Sequence, residues 1–245
     1  MSGYGDLIPL TVLTGFLGSG KTTLLNRWLR DPLLTGCAVL INEFGEIGLD
    51  HALVEPIDGS PVLLANGCIC CSIRDDLKDA LLRLEERRRT GEVPPFARVI
   101  VETTGVADPA PILATLLNDP SLRHRSRLAT VIATVDAVNG PEHLAHRVEA
   151  QKQIACADTV FVTKTDLAPI ARASAAVRAL NGQAAIVPGT QAQAEVALRA
   201  DVYLKGTRAA DVAAWFGAAT APAHAAHAHG ISYRSGCVVL DAPID

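Results

Sequence analysis

An α/β fold, with a mostly parallel twisted sheet and helices on both faces, is what this sequence predicts on three observations. The first is Gly15-Phe16-Leu17-Gly18-Ser19-Gly20-Lys21-Thr22, which fits G-x-x-x-x-G-K-[ST], the phosphate-binding loop (P-loop). The second is its setting. Leu10–Thr14 is a short apolar strand feeding the loop, and Thr22–Arg30, with Leu24, Leu25, Trp28 and Leu29 at helical spacing, is the helix leaving it. The third is an alternation of strand-like and helix-like segments, repeated about six times. Together they specify a P-loop NTPase fold whose ligand lies at the carboxyl ends of the strands.

The chemistry of the loop follows from its residue types. Gly15, Gly18 and Gly20 let successive backbone N–H groups turn toward one anion, and the dipole of the following helix adds positive potential there. Lys21 reaches the β- and γ-phosphates of a bound nucleotide, and the Thr22 hydroxyl binds Mg²⁺.

Beyond the first helix, Asp31-Pro32 marks a break, and Cys37–Ile41 is a candidate buried strand. It runs into Asn42-Glu43-Phe44-Gly45-Glu46-Ile47-Gly48-Leu49-Asp50, where nucleotide-sensing segments sit in P-loop GTPases. Glu43 and Glu46 can sense the γ-phosphate there through the metal or its waters, or simply belong to a solvated acidic loop. Val62–Ala65 is another short strand, ending in Asn66-Gly67-Cys68-Ile69-Cys70-Cys71-Ser72. A helix is expected over Ile73–Arg89, its charged end, Arg83–Arg89, being a solvated face.

Arg98–Val101 leads to Glu102-Thr103-Thr104-Gly105. A carboxylate closing a hydrophobic strand is the expected Walker B group, so Glu102 holds Mg²⁺ through water or orients the attacking water. The backbone N–H of Gly105 is placed to donate to the γ-phosphate.

The second half continues the pattern. Leu128–Val135 is a strand ending at Asp136, Pro141–Ala155 one helix, and Thr159–Val162 the next strand. Thr163-Lys164-Thr165-Asp166 follows and resembles the N-K-x-D base-recognition motif of GTPases, with Thr in place of Asn. The Asp166 carboxylate accepts from both guanine N1–H and N2–H₂, a pair adenine lacks; charge-assisted bonds of this kind are worth about 1.5–3 kcal/mol each. Losing the Asn amide weakens guanine selectivity without abolishing it. A helix over Pro169–Leu180 and a strand over Ala185–Pro188 follow, and Val187-Pro188-Gly189-Thr190 lies where a last base-contacting loop would sit.

From Ala218 the texture changes to an Ala/Pro/His-rich linker containing His224, His227 and His229. The expected organisation is a P-loop domain over residues 1–217, a linker over 218–230, and over 231–245 the opening strand of a further domain. A lone strand is not an independent domain, so it either pairs with the main sheet or is the first piece of a domain that has been cut off. The histidines are either auxiliary metal ligands or ordinary linker residues.

Cys68-x-Cys70-Cys71 is the second concentrated signal, three of the chain's six cysteines within four residues. Three thiolates converge readily on one soft or borderline ion such as Zn²⁺, and Co²⁺ or Ni²⁺ also fit. A fourth ligand would come from elsewhere: a switch-loop glutamate, a histidine, water or a partner. Three ligands with one open position suit an ion that must leave again. A redox dithiol and a set of small packed thiols are the competing readings. Cys37, Cys156 and Cys237 sit in apolar runs and are expected in the core.

Composition narrows the classes. Lys and Arg total 22 against 26 Asp and Glu, a net charge of −4, so nothing draws the chain to nucleic acid or an anionic membrane. No apolar run approaches membrane-spanning length, no signal peptide is evident, and the thiol pattern is unlike a secreted disulfide framework. A cytoplasmic protein is the expectation.

The P-loop, NEFGEIGLD, GCICC, ETTG followed by Ala107-Asp108-Pro109, and TKTD occur here in one order. That set resembles the CobW-type P-loop GTPases, metal chaperones related to the urease and hydrogenase nickel-accessory GTPases. The resemblance is specific from about Ile8 to Asp166 and looser beyond. It implies GTP binding and slow hydrolysis with Mg²⁺, a Zn²⁺ or Co²⁺ site at Cys68, Cys70 and Cys71, and delivery of the metal to a client metalloprotein. By position, Gly15 to Thr23, including Ser19, match the phosphate loop, and Lys164 and Asp166 the base motif. Such GTPases often dimerise, so a homodimer is among the expectations. The family commonly carries a smaller C-terminal α+β domain after a His-containing linker, so the resemblance implies a truncated start of that domain here. Two rival functions stand beside this one: an ATP- or GTP-dependent kinase or biosynthetic enzyme with a structural zinc knuckle, and a redox or regulatory nucleotide switch.

Overall fold

The computed structural model describes residues 7–41, 62–63, 69–72 and 77–195. Within them Ile8–Gly15 (β1), Cys37–Ile41 (β2), Val62–Leu63 (β3), Ile69–Ser72 (β4), Arg98–Glu102 (β5), Ser126–Asp136 (β6), Thr159–Thr163 (β7) and Ala185–Pro188 (β8) form one sheet. Its order is β3-β4-β2-β5-β1-β6-β7-β8. Every neighbouring pair is parallel except β3–β4, which is antiparallel. The α/β expectation therefore holds, with β1 central between β5 and β6.

Central parallel strands are covered on both faces, so they read as continuous apolar runs rather than alternating ones. Alternation survives in where the side chains go. Leu10 and Val12 of β1, Ala38 and Leu40 of β2, and Val99 and Val101 of β5 pack with Leu77, Leu81 and Leu84 of helix α2 (Leu77–Thr90) and with Leu113 and Leu116 of α3 (Pro109–Asn118). Leu13, Val39, Ile100, Ile132 and Phe161 go the other way, onto Leu24, Leu25 and Trp28 of α1 (Lys21–Trp28). Towards β7, Val160 and Val162 pack with α4 (Gly140–His146), α5 (Val148–Ala155) and α6 (Ile170–Leu180).

Three elements depart from the sequence expectation. Ile69–Ser72, to which the sequence assigns no element of its own, is a strand inside the sheet, pairing Cys70 with Val39 and Cys71 with Leu40. Four residues are too few for periodicity to separate strand from loop. Helix α3 was not anticipated, although Asp108-Pro109 is a helix-start signal: the Asp108 carboxylate accepts from the Ala110 N–H at 2.9 Å and Pro109 occupies the first turn. The single helix expected over Pro141–Ala155 is two, broken at Arg147, whose backbone is extended (φ −118°, ψ 115°). No Pro or Gly signals that break. The Gln151 amide donates to the Leu144 carbonyl at 2.9 Å, satisfying one acceptor that the interrupted helix leaves open.

The acidic loop with Glu43 and Glu46, Cys68, the His-containing linker, the last strand and the domain boundaries at 217 and 230 lie outside the described residues.

Trp28 is the largest fully buried side chain of α1; its ring meets Phe161 edge-on at 5.8 Å and its indole N–H donates to the Ala192 carbonyl at 3.0 Å. Trp28→Ala removes both and should cost about 3–5 kcal/mol of folding stability, read by urea denaturation followed by circular dichroism.

Candidate nucleotide-binding site

The loop that leaves β1 has three backbone positions that glycine fills most easily, Gly15, Gly18 and Gly20, all at positive φ. Gly15 has φ +142°, and a Cβ there would lie 2.6 Å from the Thr134 carbonyl oxygen of β6. Gly20 caps α1 in the left-handed region (φ 87°), with no side chain bonding back to the first turn. The open N–H groups of that turn and the dipole behind them therefore face outward as an anion site. Beneath the loop the Ser19 hydroxyl meets the Thr134 hydroxyl at 2.6 Å, both buried. Phe16 seats against the His143 ring of α4 at 4.8 Å.

Lys21 is buried and folds back over the loop, its Nζ donating to the Gly15 carbonyl at 2.8 Å and the Phe16 carbonyl at 3.4 Å. The Thr22 hydroxyl donates to Glu102 Oε1 at 2.7 Å across 80 residues of sequence. The two groups assigned to Mg²⁺ from sequence are thus brought together, with Glu102 only 3% exposed. A hydroxyl and a carboxylate are hard oxygen donors of the kind Mg²⁺ prefers, one or two from the protein with water and phosphate completing its shell. The residues present fit that ion. Thr23 is exposed on α1.

Beyond Glu102 the chain runs through Thr103 to Gly105. Thr103 is tied to β1 by its N–H to the Leu13 carbonyl at 2.9 Å and its hydroxyl to that of Thr14 at 2.9 Å. Gly105 passes so close to the P-loop that a Cβ would lie 2.9 Å from the Leu17 Cα. The structure therefore brings Lys21, Thr22, Glu102 and Gly105 to one place, at the carboxyl ends of β1 and β5.

The base motif closes the same edge. The Thr163 hydroxyl donates to the Ser19 carbonyl at 2.8 Å and lies 3.3 Å from that of Val135. Thr163 thus keeps a tether to the P-loop while committing its single proton to the protein, and Asp166 is exposed at the end of the motif. Lys164 adopts φ 54°, uncommon for a residue with a Cβ, and its ammonium pairs with Asp136. The last loop sits on this motif: a Cβ on Gly189 would lie 2.9 Å from the Val162 carbonyl oxygen. Arg27 holds that loop from α1, donating to the Gly189 carbonyl at 2.9 Å and to that of Ala192.

Asp136 had no role in the sequence reading beyond ending a strand. In the structure it is 3% exposed, and Oδ1 accepts from the Val138 N–H at 2.6 Å and the Asn139 N–H at 3.2 Å while Oδ2 takes Lys164. Burial pushes its pKa up. The Lys164 ammonium and the two amides outweigh burial and hold it below the ordinary carboxylate value.

Of the thiol motif, Cys70 and Cys71 lie on β4, at consecutive register positions opposite β2. Among the described residues no three His, Cys, Asp or Glu side chains gather as a metal cluster. Cys37 and Cys156 are buried free thiols, as expected of core residues, and burial pushes the Cys156 thiol well above its ordinary pKa.

A family model described as CobW/HypB/UreG, nucleotide-binding domain, matches residues 9–188. The zinc chaperone YjiA of Escherichia coli is 44% identical over 161 residues, covering 66% of this chain and 50% of that protein. Zinc-regulated GTPase metalloprotein activator 1 of Schizosaccharomyces pombe is 36% identical over 169 residues, covering 66% of this chain and 40% of that protein. The crystal structure of Zn(II)-bound YjiA GTPase from E. coli matches with a TM-score of 0.61 at 38% identity, over 74% of this chain and 57% of that one. The chain thus spans about half the length of the curated relatives it matches.

Asp136→Asn removes the charge that orients Lys164 and should destabilise the fold by on the order of 1–3 kcal/mol near neutral pH. A depressed pKa stabilises the folded state fully above the unfolded value, about 3.9, and ceases to do so as pH falls through the folded one. The stability gap between wild type and Asp136→Asn should therefore be level from pH 7 to about 5 and close below about 4, in a series of urea denaturations.

Proposed function

The chain belongs to the CobW/HypB/UreG nucleotide-binding family, and from that premise we propose that it is a slow GTPase that uses its nucleotide cycle to hold and release Zn²⁺ for a client metalloprotein. The carrying observation is a row of the sheet. Ser72, next to Cys71 on β4, pairs with Ile41 of β2, which pairs in turn with Glu102 of β5. At about 4.8 Å per strand, the backbone after the thiol motif is about 10 Å from that of the Mg²⁺-side carboxylate. Strand β4, which carries Cys70 and Cys71, thus ends on the same row as Glu102, with a single strand between them, and that nearness supports a coupling of cargo to nucleotide.

Each residue near the phosphates has a task in this reading. The α1 N-terminus and the P-loop amides bind the phosphate oxygens, and Lys21, buried beside the loop, turns its Nζ to the β- and γ-phosphates. Thr22 would hold Mg²⁺ directly and Glu102 through water. When bound, the ion neutralises charge growing on the phosphate oxygens. The Gly105 N–H donates to the γ-phosphate, and Asp166 accepts from guanine. Water attacks the γ-phosphorus, the bond to the β–γ bridging oxygen breaks, and GDP and phosphate leave.

Zn²⁺ enters as cargo, taken by the thiolates of Cys68, Cys70 and Cys71 with release of their protons; Co²⁺ and Ni²⁺ suit the same donors. Glu43 or Glu46 would supply a further ligand from the loop that continues β2. Thiolates that stay reduced suit a cytoplasmic setting. Among the described residues no helix is long and apolar enough to cross a membrane. Self-association into a dimer belongs to the same proposal.

Linkage provides the test: if Zn²⁺ and GTP are coupled, each changes the other's affinity by one factor. A non-hydrolysable GTP analogue should bind at least 5-fold differently with and without Zn²⁺, and equal affinities would reject the coupling. Replacing Cys68, Cys70 and Cys71 by Ser should abolish stoichiometric tight Zn²⁺ binding and leave zinc-free GTP binding intact. Asp166→Ala should weaken GTP about 10- to 150-fold and ATP hardly at all, measured by competition with a fluorescent nucleotide.

A further inference from the structure

Helix α5 carries a side chain whose chemistry is out of place. Gln153 is 0% exposed and lies between Ala150 and Ile154, which pack into the apolar layer under β6 and β7. An amide buried there costs free energy unless its donors and acceptor are satisfied, and an aliphatic residue of the same volume would cost less. Its Nε2 spends both hydrogens on one segment, donating to the Gly105 carbonyl at 3.2 Å and the Ala107 carbonyl at 3.0 Å. Its Oε1 is buried with no hydrogen-bond partner among the described residues. The amide is thus half satisfied, and the satisfied half points wholly at the chain between β5 and α3.

That segment has no regular secondary structure to hold it. Its middle is Gly105, which lacks the side chain that would restrict its backbone. The neighbour of Gln153 grips the next residues: Lys152 pairs with Asp108 at 2.6 Å, and Asp108 caps α3. From the other side, Leu17 of the P-loop presses on Gly105. The segment is therefore set by α5 behind and the P-loop in front.

We propose that Gln153 is a positioning residue for phosphate hydrolysis: by fixing the carbonyls of Gly105 and Ala107 it holds the Gly105 N–H where a γ-phosphate can accept from it. This rests on the reading of the chain as a GTPase. A group held by two donors responds to the presence of the third phosphate, and GDP has none, so the amide distinguishes GTP from GDP.

The test compares wild type with Gln153→Met, which keeps length and volume but has no donor. Turnover of GTP·Mg²⁺ should fall on the order of 10- to 100-fold, the cost of a misplaced contact. Affinity for a non-hydrolysable GTP analogue should fall several-fold and affinity for GDP stay within 2-fold. Unchanged turnover, or equal losses for GDP and the analogue, would overturn the proposal. Gln153→Glu is the second arm, should the Met variant not fold. Ionised, it has no donor; protonated, it has one. Its turnover relative to wild type should rise as pH falls from 8 to 5, and a flat ratio would overturn the proposal. Wild type without GTP turnover would overturn the GTPase reading and this inference together, whereas active wild type with an equally active Gln153→Met overturns this one alone.

Discussion

The hydrogen bond from Thr22 to Glu102, 2.7 Å long, is the constraint on which the site depends. It joins the first turn of α1 to the end of β5, and it exists because β1 and β5 pair with Leu13 opposite Glu102. A slip of one residue would turn Glu102 to the other face of the sheet. Nothing local enforces that register. It is enforced by the two apolar layers, since Leu10 and Val12 must meet α2 and α3 while Leu13 meets α1. Core packing thereby fixes where a buried carboxylate ends up.

Under the loop lies a second layer of support made of hydroxyls. Ser19 bonds Thr134, Thr134 reaches the Thr14 carbonyl at 3.5 Å, and Thr14 bonds Thr103. All four residues are buried, at the ends of β1 and β6 or just past β1 and β5. Threonine suits this position because its branched carbon packs like valine while its hydroxyl satisfies a neighbour. These bonds link the P-loop to the first residue after Glu102, so the two segments share one foundation. On the other flank Thr163 ties the base motif to Ser19. The P-loop, the segment after Glu102 and the Thr163–Asp166 turn are thus linked by hydrogen bonds rather than being separate loops.

What was legible in the sequence was the set of local motifs: Gly15 to Thr22, Glu102 and Gly105 stand at fixed local spacing, a motif records spacing, and the structure brings those residues together. The parallel sheet was legible too, from apolar runs such as Cys37–Ile41. The supporting shell was not. Gln153 reaches back 48 residues to Gly105, and Lys164 28 residues to Asp136. No short-range pattern encodes such pairs, and a glutamine in a helix that also carries Glu149, Gln151 and Lys152 reads as an ordinary polar position. The break at Arg147 escaped because its compensation is tertiary and because the residues around it favour helix. Strand β4 escaped because its neighbours, not its four residues, make it a strand. Asp108-Pro109 is the one missed signal that was local and available, hidden by the apolar, proline-bearing run after it.

The energetics of the proposed switch are modest enough for this architecture to supply. A coupling of about 1–3 kcal/mol changes affinity about 5- to 150-fold. That is the worth of one hydrogen bond to a charged group gained or lost with the γ-phosphate. Among the described residues one segment can make such a contact: the one gripped by Gln153, which leaves β5 just past Glu102. Close-packed interiors shift between discrete arrangements rather than deforming smoothly. β2 is clamped between β4 and β5, with Ile41 paired to both Ser72 and Glu102. Any rearrangement of its carboxyl end on binding GTP must therefore be felt at the backbone next to Cys71. The geometry asks for no long-range pathway, only for one strand to have two resting positions.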